Sequence, residues 1–134
     1  MTILGIDYGA KKIGLALSDQ RERMAMPLQI IPNTNLAAAV QLIQSICQSE
    51  QIGKIVVGLP VSLQQNDSTT ASIQVVQTFL DKLHQVIQLP IETIDERLST
   101  AEAKKLLVGQ GGGDDDAVAA MLILQTYLDR QANS

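Results

Sequence analysis

The apolar positions change period along the chain, and each change marks an element. Residues 2–7 are apolar and largely β-branched until Asp7, the pattern of a buried strand. Gly9, Ala10, Lys11 and Lys12 form a turn, after which residues 13–18 alternate apolar and small side chains. That spacing predicts a β-hairpin, with Gly9 and Gly14 letting its two backbones approach closely. Residues 28–31 read as a short third strand bounded by Pro27 and Pro32. Thr34 or Asn35 then caps a helix with Leu36, Val40, Ile43 and Cys47 on one face, and Gly53 is expected to end it.

The run 54–59, with Ile55, Val56 and Val57 consecutive, predicts a strand buried on both faces. A polar loop, 62–69, leads into a helix that keeps Ile73, Val76, Leu80, Leu83 and Ile87 in register. Residues 90–95 form another strand. Ser99 or Thr100 caps a further helix, where Glu102 completes a capping box, and the glycines from Gly109 to Gly113 break it. A last helix covers about 116–129 with Ala120, Ile123, Leu124 and Tyr127 facing inward. The order β-β-β-α-β-α-β-α-α predicts an α/β fold. Its mixed five-stranded sheet starts as a three-strand antiparallel meander, continues with parallel strands and carries helices on both faces. The 134 residues fit one domain, 1–134.

Composition narrows the function. With no Trp, one Phe and two Tyr, the core must be Leu, Ile, Val and Ala, and a surface stacking several bases on aromatic rings is excluded. Cys47, the lone cysteine, falls on an apolar helix face and reads as a buried thiol rather than a nucleophile. The N-terminus lacks a signal-peptide layout, and Asp7 and Asp19 interrupt any membrane run, so a cytoplasmic protein without membrane association is expected. A net charge of −4 runs against a broad electrostatic grip on phosphate backbones.

The candidate chemistry is acidic. Asp7 closes the first strand, Asp95 and Glu96 close the last, and Asp116 opens the last helix. Active sites of open α/β sheets gather at strand ends. If the first and last strands lie side by side, these carboxylates converge and repel unless a divalent cation neutralises them. Such hard oxygen ligands suit Mg²⁺ or Mn²⁺, which activate water for phosphodiester hydrolysis. Each residue also has a plain structural alternative. Asp7 can bond turn amides, Asp116 can serve only as a helix-start residue, and Glu96 can pair with Arg97 at the surface. Lys11 and Lys12, beside Asp7, can hold a phosphate or remain solvated. Arg97 can clamp a phosphate bidentately or pair with Asp95. His84, late in the second helix, is expected to be exposed and without a catalytic role.

Gly5-Ile6-Asp7-Tyr8-Gly9, Lys12-Ile13-Gly14 and Ser18-Asp19 resemble the opening of the YqgF/RuvX family of Holliday-junction-resolvase-like proteins, mostly described as pre-16S rRNA nucleases. Val56-Val57-Gly58-Leu59-Pro60, Asp95-Glu96-Arg97-Leu98-Ser99-Thr100, and Asp116 with Ala119-Ala120 and Ile123-Leu124-Gln125 match further blocks in family order. The resemblance spans almost the whole chain. It implies an RNase H-like fold and a Mg²⁺- or Mn²⁺-dependent nuclease. Asp7, Glu96 and Asp116 would be its catalytic and metal-holding carboxylates, with Asp95 an alternative to Glu96. Lys11, Lys12 and Arg97 would contact substrate. The implied partner is nucleic acid, precursor rRNA before junction DNA, with ribosomal particles a further partner and a monomer or homodimer as the assembly. The chain departs from family habit where Gly111-Gly112-Gly113-Asp114-Asp115 precedes the final Asp, a loop that usually carries Lys or Arg. Ser62-Leu63-Gln64-Gln65 likewise replaces an Asn-then-Asp-Gly pattern, so substrate-side positive charge is reduced. That loss keeps a non-catalytic RNA-binding or ribosome-assembly module as an alternative function. An actin-like ATP-binding fragment, suggested by Asp7-Tyr8-Gly9, would need a second domain that this length does not hold.

Overall fold

The computed structural model describes residues 1–59, 70–95 and 115–133; for 70–73, 95, 115 and 116 only the backbone is described. Its strands are β1 (Thr2–Tyr8), β2 (Lys12–Ser18), β3 (Ala25–Pro32), β4 (Ile52–Leu59) and β5 (Ile91–Asp95). The helices are α1 (Leu36–Ser49), α2 (Thr70–Val86) and α3 (Asp115–Ala132). The strands form a 5-stranded sheet in the order β3-β2-β1-β4-β5. The β1–β2 and β2–β3 pairs are antiparallel, and β1–β4 and β4–β5 are parallel. This is the expected meander followed by parallel crossovers. The segment expected to form the Ser99-capped helix lies outside the described residues.

Strand alternation sorts the core into two layers. Leu4, Ile6, Ile13, Leu15, Ile55 and Val57 face α1 and α2, and meet Val40, Ile43, Phe79 and Leu83 there. Ile3, Ala16, Val56 and Ile94 face α3, and meet Ala120, Ile123, Leu124 and Tyr127. The α3 side of the sheet is built from smaller residues, so this helix sits close. A Cβ on Gly5 would lie 2.8 Å from the Leu124 Cβ and 3.2 Å from the Ala120 carbonyl oxygen. Of the expected inward faces, Val40, Ile43, Cys47, Val76, Leu83, Ile87, Ala120, Ile123, Leu124 and Tyr127 are buried. Leu36 and Leu80 are partly buried, and the Ile73 side chain lies outside those described. Phe79, which the apolar spacing did not single out, is fully buried.

Two boundaries differ from expectation. The third strand runs Ala25–Pro32 and takes in both prolines that were read as its limits. It is an edge strand, where a missing amide donor can face away from the ladder at little cost. Gly53 does not end the first helix. Asn35 caps α1, its side chain accepting from the Ala38 amide, and the helix stops at Ser49. The residue that adopts the left-handed conformation is Gln51, with φ of 54°. Gly53 lies inside β4, where a Cβ would press on the Met1 side chain. Cys47 is buried in the α1 layer, and burial pushes its thiol up to about 11, as expected of a structural cysteine.

Candidate active site

Asp7 follows Ile6 in β1, and alternation turns it to the α3 side, in line with Ile3 and Gly5. Its register partners are Gly14 of β2 and Gly58 of β4. The carboxylate is therefore flanked in the sheet by residues that have no side chains. Asp7 is half-buried, and among the described residues nothing donates a hydrogen bond to its carboxylate or pairs with it. An aspartate kept only for turn formation would be bonded to the amides after Gly9. The actual turn closure is different: Asn33 donates its side-chain amide to the Gly9 carbonyl at 2.8 Å, and its backbone amide to Lys11 at 2.9 Å. Gly9 is required where it stands, because a Cβ there would collide with the Lys12 carbonyl oxygen.

The strands bearing Asp7 and Asp95 are not side by side, which corrects the simplest expectation. The crossover through α2 adds β5 outside β4, so β4 separates them. Gly58 is the partner of both Asp7 and Ile94, while Asp95 pairs with Leu59, one step further along. Two strand spacings amount to about 10 Å. Within β5, Glu92 bonds to Tyr127 of α3 and Ile94 packs in the α3 layer, so the even-numbered positions share the face of Asp7. A Cβ on Gly58 would collide with Ile123 Cδ1, so the Ile123 side chain fills the space over Gly58, beside Asp7.

The start of α3 is brought to the same end. Gln125 accepts the amide of Ala25, at the beginning of β3, whereas Ala117 and Val118 border a cleft with Pro27, Leu28, Gln29 and Ile30. The helix thus runs antiparallel to β1, with Ala120 and Leu124 over Gly5. One turn back toward its start, about 6 Å, matches the two-residue step of about 6.6 Å from Gly5 to Asp7. That turn begins with Asp115 and Asp116, at the positive end of the helix dipole. The backbone of Asp116 is therefore level with Asp7. Glu96 and Arg97 lie outside the described residues. Lys11 and Lys12 are exposed on the turn next to Asp7 and make no ion pair among the described residues. His84 is exposed, away from this end of the sheet. Among the described residues, no group of His, Cys, Asp and Glu stands ready to hold a metal ion; Asp7 is the only one of the proposed carboxylates whose side chain is described.

The spacing rules did not reveal a polar cluster at the opposite end of β4. Lys54 Nζ lies 2.7 Å from Glu92 Oε2 and donates to the Tyr127 hydroxyl at 2.9 Å, while Tyr127 donates to Glu92 at 2.6 Å. The Lys54 bond, then the Tyr127 bond, hold the Glu92 carboxyl below its usual range. The same Glu92 bond raises Lys54. The available signal was a pair of opposite charges on adjacent strands, one diagonal step apart. This cluster ties α3 to β4 and β5 and stands about four residues from the Asp7 end of the sheet.

The family model described as Holliday junction resolvase (RuvX) matches residues 1–130. The chain belongs to the RuvX family. Among its relatives, a Rickettsia typhi protein named "Putative pre-16S rRNA nuclease" is 40% identical, over 95% of this chain and 84% of its own. A Rickettsia rickettsii protein of the same name is 36% identical over 98% and 88%. Solved RuvC from Thermus thermophilus, in complex with a Holliday junction substrate, superposes with a TM-score of 0.66 at 12% identity, covering 98% of this chain and 96% of that one. The yeast mitochondrial Holliday junction resolvase Ydc2 gives 0.59 at 13% identity, over 97% and 78%. These structural likenesses establish the RNase H-like fold. This member of the RuvX family is a nuclease of the hydrolase class. Among the described residues, no helix is long and apolar enough to cross a membrane.

Proposed function

We propose that residues 1–134, as one domain, hydrolyse phosphodiesters of structured RNA, with the 5′ end of precursor 16S rRNA as substrate. Asp7, Glu96 and Asp116 are its catalytic carboxylates. The observation that carries the reading is the Asp7 carboxylate, without a partner among the described residues, flanked by glycines and level with the first turn of α3. Glu96 is preferred to Asp95 for the second position on two grounds. Glu96 is the next even-numbered position after Glu92 and Ile94, the residues of β5 that share Asp7's face. A glutamate also has the reach to act across the strand that separates β5 from β1.

The donor set fits a hard divalent cation: carboxylates alone, one of them free of competing hydrogen bonds among the described residues. Asp7, Glu96 and Asp116 would hold Mg²⁺ or Mn²⁺, which supplies Lewis-acid stabilisation of the phosphodiester and an activated water. Lys11, Lys12 and Arg97 bind the flanking phosphates. The two relatives' shared name and the nuclease family support RNA processing, and ribosomal particles are the setting proposed for it. The test is cleavage of a precursor 16S 5′-end RNA beside four-way junction DNA, in Mg²⁺, Mn²⁺ and chelator. RNA cleavage that needs metal and disappears in Asp7→Asn is expected. The family's description as Holliday junction resolvase favours the second reading, which would replace the first if only the junction were cut.

A further inference from the structure

The strand position after Asp7 is Tyr8, and alternation sends its ring to the opposite side of the sheet from α3. There it packs on Phe79, with ring centroids 4.3 Å apart and planes inclined by 30°. One part of the ring is thereby fixed. The remainder borders an open depression of about 340 Å³, lined among the described residues also by Leu36, Gln74, Val75 and Thr78. This volume is at the small end of the range for ligand pockets, about 300–1,000 Å³, and suits a single flat ring system. The walls are the apolar Leu36 and Val75, with an amide from Gln74 and a hydroxyl from Thr78 as hydrogen-bonding groups.

Among the chain's aromatic residues, two Tyr, one Phe and no Trp, this ring is set apart. Phe79 is fully buried, and Tyr127 is 6% exposed and committed to Lys54 and Glu92. Tyr8 is only half-buried, and it is one peptide from Asp7. The cavity opens at the same end of the sheet. Leu36 begins α1 directly after the link whose Asn33 is bonded to the Gly9 carbonyl, and exposed Lys11 and Lys12 rise from that hairpin turn. A strand of nucleic acid that passed over this end of the sheet, with a phosphate at Asp7 on one face, would meet the cations of the turn and then this pocket on the other.

We infer that the cavity beside Tyr8 is a nucleobase subsite, in which one base adjoining the scissile phosphate stacks on the Tyr8 ring and presents its edge to Gln74 and Thr78. It rests on Asp7 marking the catalytic centre. The negatively charged chain with few stacking residues would then hold its substrate through a single anchored base rather than a broad basic surface. Base–aromatic stacking is worth about 1–3 kcal/mol, which is about 5- to 150-fold in affinity.

The experiment uses the full chain and an oligonucleotide that it cleaves, with an abasic residue stepped through the positions around the cut. One flanking position is expected to raise KM about tenfold with little change in kcat. Tyr8→Leu, which keeps an apolar contact with Phe79, is expected to raise KM on the intact substrate by the same factor and to erase the abasic effect. Tyr8→Phe, which keeps a ring for stacking, is expected to retain the abasic effect that Tyr8→Leu erases. In the Asp7→Asn chain, 2-aminopurine at that position should be quenched on binding, and Tyr8→Leu should abolish the quenching. A flat abasic scan, or quenching that survives Tyr8→Leu at unchanged Tm, overturns the subsite while leaving the carboxylate site intact. Full cleavage by Asp7→Asn overturns the carboxylate reading and this inference with it.

Discussion

A half-buried carboxylate with no protein partner among the described residues is a cost to the fold unless something else uses it. Asp7→Asn is therefore expected to reduce cleavage by at least about a hundredfold, comparable with the loss of a principal electrostatic group in other enzymes. Its Tm should stay at or above that of wild type, because the substitution removes an unpaired charge. Parallel turnover and thermal-melt measurements check both halves, and a fall in Tm that matched the loss of activity would assign Asp7 a structural role. Glu92 is the opposite case, a carboxylate the fold has fully committed. Its folded-state pKa is depressed by Lys54 and then by Tyr127, so its contribution is present above the ordinary value of 4.5 and is lost as pH falls through the folded value. Glu92 is 47% exposed, so solvent screening limits the pair to below about 1 kcal/mol. Glu92→Gln should melt slightly below wild type at pH 7, and that gap should close as pH falls below 4.5 and through the depressed folded value, while cleavage at pH 7 persists.

Among the elements, the closeness of α3 to the sheet positions the site, and Gly5 permits that closeness. Gly5→Val places branched carbons against Leu124 and the Ala120 carbonyl, with an expected cost of about 1–3 kcal/mol from overpacking. Urea denaturation measures it, and activity should fall as well, since lifting α3 moves its acidic first turn away from Asp7. Most elements were legible in the sequence because their patterns were clean: continuous apolar runs in β1 and β4, alternation in β2, and a period of 3.6 in α1, α2 and α3. β3 was shortened by taking Pro27 and Pro32 as boundaries, since a sequence does not say which strand will be the sheet's edge. Gly53 was taken as a helix stop although Gln51 performs the left-handed turn, so residue preference misjudged a site set by tertiary packing. Asp7 stood out because a charge ended an apolar run. That β4 would lie between β1 and β5 was not legible, because strand order depends on where each crossover lands. The pocket at Tyr8 was equally hidden, since its walls come from β1, α1 and α2.

Across the whole molecule, the described backbone brings the ends of β1 and β5 and the start of α3 to one end of a mixed sheet, while the overall charge is −4. A protein of that charge gains little from long-range attraction to phosphates. In the proposed reading its grip on substrate comes from local contacts: a metal held between carboxylates, the turn lysines Lys11 and Lys12, and the base pocket at Tyr8. Cleavage should consequently depend steeply on divalent metal and less on ionic strength than it would for a strongly basic nuclease. Titration of Mn²⁺ into the wild-type chain and into Asp7→Asn, Glu96→Gln, Asp116→Asn and Asp95→Asn tests the central claim most directly. The account predicts that each of the first three substitutions weakens Mn²⁺ binding by at least about tenfold, while Asp95→Asn leaves it nearly unchanged. Wild-type Mn²⁺ affinity in Asp7→Asn, or a loss in Asp95→Asn with none in Glu96→Gln, would contradict it.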